Sequence, residues 1–150
     1  MEPLFIKNSI SINASPQKVW DSLINPEKTK NYMFGCETVS DWNVGSQLLW
    51  KGNYEGKEMV FVKGTILEIE DFKKLVYTVF DPNSTMEDIP KNYLTVTYEL
   101  TFDGTNTTLS VTQGDYKSVA EGEKRYKESY NNGEGWHPIL IQIKNIVETT

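Results

Sequence analysis

The sequence has 150 residues, of which 38% are hydrophobic and 24% are charged, a composition typical of a soluble globular protein. Its net charge of −6, with no cluster of lysines and arginines, argues against a nucleic-acid-binding protein, because phosphate backbones need a basic surface. A chain of this length buries enough surface to fold as one domain, over residues 1–150, without disulfides or structural metals.

The N-terminus and the hydropathy pattern predict a cytoplasmic protein that does not enter a membrane. The sequence does not start with a basic segment followed by a long apolar run, so we predict no secretory signal. No apolar run approaches the roughly 20 residues that a membrane-spanning helix needs. Cys36 is the only cysteine, which argues against an intramolecular disulfide and against a thiolate metal site.

The first predicted elements are one strand and two short helices. Apolar and polar residues alternate over residues 4–13, which is the periodicity of a β-strand. Ser15-Pro16 then combines a capping hydroxyl with a proline suited to the first helical turn. Asn25-Pro26 repeats this signal, and it predicts a second helix over residues 27–32. Helices this short need tertiary packing to be stable.

The middle of the sequence predicts six strands joined by short turns, as in antiparallel hairpins. Within the third of them the hydrophobic pattern changes phase near Gly64, which predicts a bend or bulge that curves the sheet. The long connection over residues 81–92 predicts the mouth or lid of a cavity, or a plain surface excursion. The predicted strands cover residues 37–42, 46–51, 58–70, 74–80, 93–102 and 107–116.

The C-terminal segment predicts a helix with one broad apolar face. Residues 121–130 can begin a helix, which the Asn132-Gly133 turn interrupts. Residues 136–147 then carry apolar side chains at the i, i+3, i+4, i+7 spacing of an amphipathic helix. A curved sheet that holds such a helix can enclose a cavity. We predict Lys144 to be exposed and the following residues to be buried against the sheet: Trp136, Leu140, Ile143 and Val147.

Four groups of residues, in this order along the chain, resemble the SRPBCC superfamily of START-like, helix-grip domains. They are Ile12-Asn13-Ala14-Ser15-Pro16 with Val19-Trp20 and Asn25-Pro26-Glu27; Gly64-Thr65-Ile66 with Leu75-Val76-Tyr77-Thr78; Thr97-Tyr98-Glu99-Leu100; and Gly135-Trp136 with Leu140 and Ile143-Lys144. Within the superfamily, the sequence is most similar to the family named for the activator of heat-shock protein 90 ATPase. The resemblance implies an α+β helix-grip fold, with a curved antiparallel sheet wrapped around a long C-terminal helix, and a role in the stress response.

The candidate catalytic groups do not form a catalytic set. His137, the only histidine, is interpreted as an exposed or capping residue, and Cys36 as a small buried hydrophobe. Glu68 and Glu70 share a face but flank a turn, which is typical of a solvated strand end. Metal-ligand and nucleotide-binding motifs are not found. We therefore predict no catalytic residue, no metal and no cofactor.

Aromatic residues are the most suggestive set, because tyrosine and tryptophan combine an apolar body with a polar tip. We predict Tyr98 and Trp136 as walls of a ligand site, with Trp50, Phe61 and Tyr77 behind them. The tyrosine hydroxyls would orient the ligand.

These observations predict a non-enzymatic protein that binds a small hydrophobic or amphipathic ligand in a cavity between the sheet and the C-terminal helix. The ligand would enter near the two short helices or near the connection over residues 81–92. Two alternatives stay open. One is a co-chaperone-like interaction domain with a chaperone as its partner, as the resemblance implies. The other is an aromatase/cyclase-type enzyme that shares the fold.

Overall fold

The computed structural model describes residues 3–149, and within this range seven antiparallel strands form one curved sheet. The order across the sheet is β1-β7-β6-β5-β4-β3-β2, so β1 and β2 are its edges. Every strand after β2 pairs with the strand before it in sequence, as the short turns predicted. The strands are β1 (Ile6–Ile12), β2 (Glu37–Ser40), β3 (Gln47–Tyr54), β4 (Lys57–Glu70), β5 (Lys74–Val79), β6 (Leu94–Phe102) and β7 (Thr107–Gly114).

Four α-helices lie in the described part of the chain, and the first two carry the predicted caps. The Ser15 hydroxyl accepts a hydrogen bond from the Lys18 amide at 3.3 Å, and the Asn25 side chain accepts one from the Glu27 amide at 3.0 Å. The second helix ends earlier than predicted, because residues 30–35 continue as turns. The helices are α1 (Pro16–Ile24), α2 (Pro26–Thr29), α3 (Gly122–Tyr130) and α4 (His137–Glu148). None of them is long and apolar enough to cross a membrane.

Strand β4 produces the curvature of the sheet through two bulges. Trp50 pairs with Val62 but Lys51 pairs with Val60, so Phe61 is the extra residue on β4. Leu67 is likewise unpaired, on the side that faces β5. The predicted irregularity near Gly64 is therefore present, but as two bulges that lie three residues to either side of it. Gly64 itself marks a close backbone approach between β4 and β5.

Several strand ends differ from the prediction by one to three residues, and the differences in β3 and β7 have clear physical causes. Strand β3 continues to Tyr54, since Glu55 and Gly56 both have positive φ and make the two-residue turn of a β3–β4 hairpin. Strand β7 stops at Gly114 instead of continuing to Tyr116. The Asp115 carboxylate accepts hydrogen bonds from two backbone amides and turns the chain away from the sheet, so Tyr116 becomes a buried residue of a 3-10 turn.

Helix α4 packs against β1 and α1. The predicted apolar residues are buried, as expected: Trp136, Leu140, Ile143 and Val147. The prediction for Lys144 holds only in part, because its side chain is 35% exposed. Its ammonium group donates to the Ser11 carbonyl at 2.7 Å and pairs with Glu148 at 2.6 Å. A long side chain at the margin of the apolar face can thus tie the helix to the edge strand.

Candidate ligand-binding cleft

An apolar cleft of about 380 Å³ lies between the concave face of the sheet and the start of α4. Four of the five predicted site residues line it: Trp50 from β3, Phe61 from β4, Tyr77 from β5, and Trp136 immediately before α4. Phe61 reaches the cleft because it is the bulged residue of β4. Four of the aromatic residues that the sequence singled out therefore lie on one side of the sheet.

Tyr98, the fifth predicted residue, does not line the cleft. It is fully buried, with its ring centroid 5.7 Å from that of Tyr77 and 5.9 Å from that of Trp136, which it meets edge-on. Tyr98 therefore lies behind the wall and supports it. This reverses the predicted order, in which Tyr98 formed the wall and Tyr77 lay behind it.

The tyrosine hydroxyls, expected to orient a ligand, bond to each other. The Tyr77 hydroxyl donates to the Tyr98 hydroxyl at 3.0 Å, and burial raises the pKa of both, so both are neutral at physiological pH. The polar group on the wall is instead Gln113, whose amide oxygen accepts a hydrogen bond from the Trp136 indole at 2.8 Å. Within residues 3–149, the amide nitrogen of Gln113 makes no hydrogen bond and is free to donate to a ligand.

Trp136 is held at both ends. Its backbone amide donates to the Asn8 side chain at 2.9 Å, while its indole bonds to Gln113. The preceding residue must be glycine, because Gly135 has a positive φ and a Cβ there would lie 2.5 Å from the Asn8 amide oxygen. The indole is thus fixed in the cleft wall by β1 and β7 together.

The rim of the cleft comes from the turn that follows α2. Phe34 and Gly35 both have left-handed backbone conformations, and the Phe34 ring is 87% exposed. Met33 and Cys36 complete this side of the cleft. The Thr29 hydroxyl donates to the Cys36 carbonyl at 3.1 Å and anchors the segment. Sequence reasoning missed these residues as site residues, since turns carry no periodicity; the Gly35 turn was the available signal.

Gln113 was also missed, although the sequence contains a signal for it. Leu109 and Val111 face the core on β7, and alternation places Gln113 on the same face. An amide at a core-facing position indicates either a buried hydrogen bond or a polar contact in a cavity. The remaining apolar lining comes from Val62, Val79 and Val96.

The other candidate groups of the sequence lie outside the cleft. His137 is exposed on the first turn of α4. Glu68 and Glu70 are exposed and pair with Lys74 and Lys73 at 3.1 and 3.4 Å, so they form the solvated strand end that the sequence predicted. Among residues 3–149, no three histidine, cysteine, aspartate or glutamate side chains come together as a potential metal site.

Cys36 provides a direct test of access to the cleft. The residue is 5% exposed, and burial raises the pKa of its thiol, so at a given pH less of the reactive thiolate is present than in the unfolded chain. We expect a neutral aromatic disulfide reagent to label Cys36 more slowly in native than in urea-unfolded protein. The labelling rate rises with pH as the thiolate forms, and we expect this rise to occur at higher pH in the native protein than in the unfolded protein. Equal rates and equal pH profiles would show that this thiol is open to solvent.

Comparison with known proteins gives three results. A family model described as "Activator of Hsp90 ATPase homolog 1-like protein" matches residues 13–148. A protein of Cytophaga hutchinsonii with a solution structure is 39% identical, with 99% of this chain and 97% of that chain covered and a TM-score of 0.77. A comparison with curated protein sequences returned no match.

Two further solved structures share the fold at lower identity. The Aha1 dimer of Colwellia psychrerythraea is 16% identical, with coverage of 97% of this chain and 96% of that chain and a TM-score of 0.68. An HSP90 activator of Plasmodium falciparum is also 16% identical, with coverage of 92% and 94% and a TM-score of 0.62. At this identity the likeness shows the fold alone.

Proposed function

The chain belongs to the family of Activator of Hsp90 ATPase homolog 1-like proteins, and on that premise we propose that it binds a small hydrophobic or amphipathic molecule in the cleft between the sheet and α4. Family membership agrees with the resemblance carried by the sequence motifs. Since one fold can serve several functions, the proposal rests on the cleft itself.

The observation that carries the proposal is the apolar cleft between the concave face of the sheet and the start of α4. Protein interiors rarely leave voids larger than a water molecule, whereas ligand sites typically measure roughly 300–1,000 Å³. The volume of about 380 Å³ lies within the second range, and five aromatic wall residues distinguish this cleft from the other surface pockets of residues 3–149, two of which are larger. Its walls are aromatic and aliphatic, and Gln113 offers one polar contact. This combination favours a molecule with a hydrocarbon or aromatic body.

The wall chemistry favours binding without catalysis. Cys36 and Tyr77 are the ionisable side chains among the lining residues, and burial raises the pKa of each. Both are therefore protonated near pH 7, whereas a general base or a nucleophile has to be available in its deprotonated form.

A second candidate is a co-chaperone-like interaction domain. The family description and the relative from Plasmodium falciparum, an HSP90 activator, favour it. The exposed Phe34 ring at the rim of the cleft is consistent with a protein contact there. The two candidates predict different partners, so a small-molecule titration separates them.

The test uses the four tryptophan indoles as reporters in ¹⁵N NMR spectra. We expect 1-decanol, a neutral probe, to shift the indole signals of Trp50 and Trp136, which line the cleft. The signals of Trp20 and Trp42, which do not line it, should stay in place. No shift with 1-decanol or with a panel of sterols and polycyclic aromatics, together with measurable binding to the chaperone, would favour the interaction domain.

A cleft-filling substitution sharpens this test. Val79→Trp places a large side chain in the cleft, so we expect the affinity for 1-decanol to fall at least about tenfold. Val44→Trp is the matched control, because Val44 is exposed in the turn before β3 and should leave the affinity unchanged. Equal affinities in both variants would place the binding site elsewhere.

A further inference from the structure

A second pocket, of about 340 Å³, adjoins the apolar cleft and is more polar. The two share three wall residues, Val62, Val79 and Gln113, so a polar space lies directly beside the apolar one. The outer walls of the second pocket come from α3 and from the connection after β5. This connection is the one for which the sequence left two alternatives open, the mouth or lid of a cavity or a plain surface excursion.

Arg125, the only arginine of the chain, lies in the wall of this polar pocket and is partly buried. One guanidinium nitrogen, Nη1, donates to the Asn92 carbonyl at 3.1 Å. Asn92 is itself buried and holds the Ala120 amide at 3.1 Å, so Arg125 is fixed in place. Within residues 3–149, no carboxylate lies within 4.0 Å of the guanidinium. The carboxylates of Glu121 and Glu128 act on Arg125 only at longer range, so its remaining N–H donors are open to the carboxylate of a ligand.

A second donor near Arg125 also lacks an acceptor. Tyr116 is fully buried, and its hydroxyl has no hydrogen-bond partner in the described chain. Burial raises its pKa, and the positive charge of Arg125 acts in the opposite direction. The Tyr116 hydroxyl is therefore an unpaired buried group that lies near Arg125, behind the wall of the polar pocket.

The remaining charges of the polar pocket limit the charge of the ligand. Lys124 adds one positive charge, but Asp81, Glu121 and Glu128 add three negative ones. All four side chains are exposed, so water screens them more than it screens Arg125. A monoanion can pair with the guanidinium at this rim, whereas a dianionic phosphate would meet stronger repulsion from the three carboxylates.

We propose that the ligand is an amphipathic monocarboxylate, with its hydrocarbon part in the apolar cleft and its carboxylate bound by the guanidinium of Arg125. This inference rests on the proposed function, because it assumes that the cleft is occupied. A planar guanidinium matches a carboxylate through two parallel hydrogen bonds, and Arg125 has donors to spare beyond the one used for Asn92.

The experiment compares decanoate with 1-decanol, which differ in the head group and share the chain length. By calorimetric titration below the micellar concentration, we expect wild-type protein to bind decanoate at least about tenfold more tightly. Arg125→Gln should remove this preference and leave the affinity for 1-decanol unchanged. Lys127→Gln is the matched control, since it removes the same charge from an exposed position of α3 and should keep the preference.

The single arginine gives a readout that needs no variant. In wild-type protein, decanoate should shift the Arg125 Nε–H signal and 1-decanol should not. A shift of the tryptophan signals without any shift of Arg125, or equal affinities for acid and alcohol, would overturn the inference and leave the proposed function standing. Binding of neither probe would overturn the inference, and it would overturn the proposed function as well if the panel of sterols and polycyclic aromatics also left the tryptophan signals unchanged. If Arg125→Gln fails to fold, the response of the wild-type Arg125 Nε–H signal to decanoate and to 1-decanol decides whether the inference stands.

Discussion

Replacing Gly64 by alanine is expected to lower the free energy of unfolding by at least about 4 kcal/mol, an exceptional effect for one methyl group. A Cβ at this position would lie 1.6 Å from the carbonyl oxygen of Thr78 and 2.4 Å from its carbonyl carbon. These are backbone atoms of β5, so no change of rotamer relieves the clash. The strands must separate, and the two hydrogen bonds between Lys63 and Phe80, at 2.8 and 2.9 Å, are at risk.

The measurement is urea unfolding followed by circular dichroism, and Gly52→Ala is the control. Gly52 lies on the neighbouring strand, and its added Cβ would meet the Phe61 ring at 3.0 Å and the Cys36 sulfur at 3.3 Å. Side chains can shift by the few tenths of an ångström needed, and alanine lowers the entropy of the unfolded chain. We expect Gly52→Ala to fold with near-native stability. A Gly64→Ala protein of similar stability would contradict the close approach of β4 and β5.

Elements with local signals were predictable from the sequence. The caps at Ser15 and Asn25 depend on residues within three positions, and the apolar face of α4 repeats over three turns. The strands follow from alternation, and their antiparallel pairing follows from short turns. The family resemblance then supplied the way these elements are assembled, which local patterns alone do not determine.

The bulges were predicted only approximately, because register is a property of two strands together. The phase change near Gly64 was visible in the sequence, but the unpaired residues are Phe61 and Leu67. A shift of one residue exchanges the two faces of a strand. Phe61 lines the cleft only because its bulge turns it inward.

The candidate site was also predicted only approximately from the sequence. The position of the aromatic residues on strands and next to the helix indicated the cleft wall but not the depth of each side chain, so Tyr98 and Tyr77 were placed in the reverse order. Phe34 reaches the rim through a left-handed turn that has no periodic signal. Arg125 is partly buried because α3 packs near Asn92, a contact between residues 33 positions apart, and such contacts are not visible in local sequence.

Replacing Leu140 by alanine is expected to lower the free energy of unfolding by about 2–5 kcal/mol. Leu140 is fully buried and lies one helical turn after Trp136, whose carbonyl accepts the Leu140 amide at 2.9 Å. The substitution leaves a cavity where α4 meets the core, and it loosens the turn that fixes the Trp136 indole in the cleft wall. Affinity for 1-decanol should therefore fall together with stability.

Ile141→Ala is the matched control, because the neighbouring Ile141 side chain is 40% exposed. We expect it to change stability by less than about 1 kcal/mol and to leave 1-decanol binding unchanged. Both variants should keep the wild-type denaturant dependence, since neither alters the surface exposed on unfolding. Equal losses in the two variants would mean that the apolar face of α4 does not pack on the sheet. Loss of stability in Leu140→Ala with unchanged 1-decanol affinity would instead show that Trp136 is held by Asn8 and Gln113 alone.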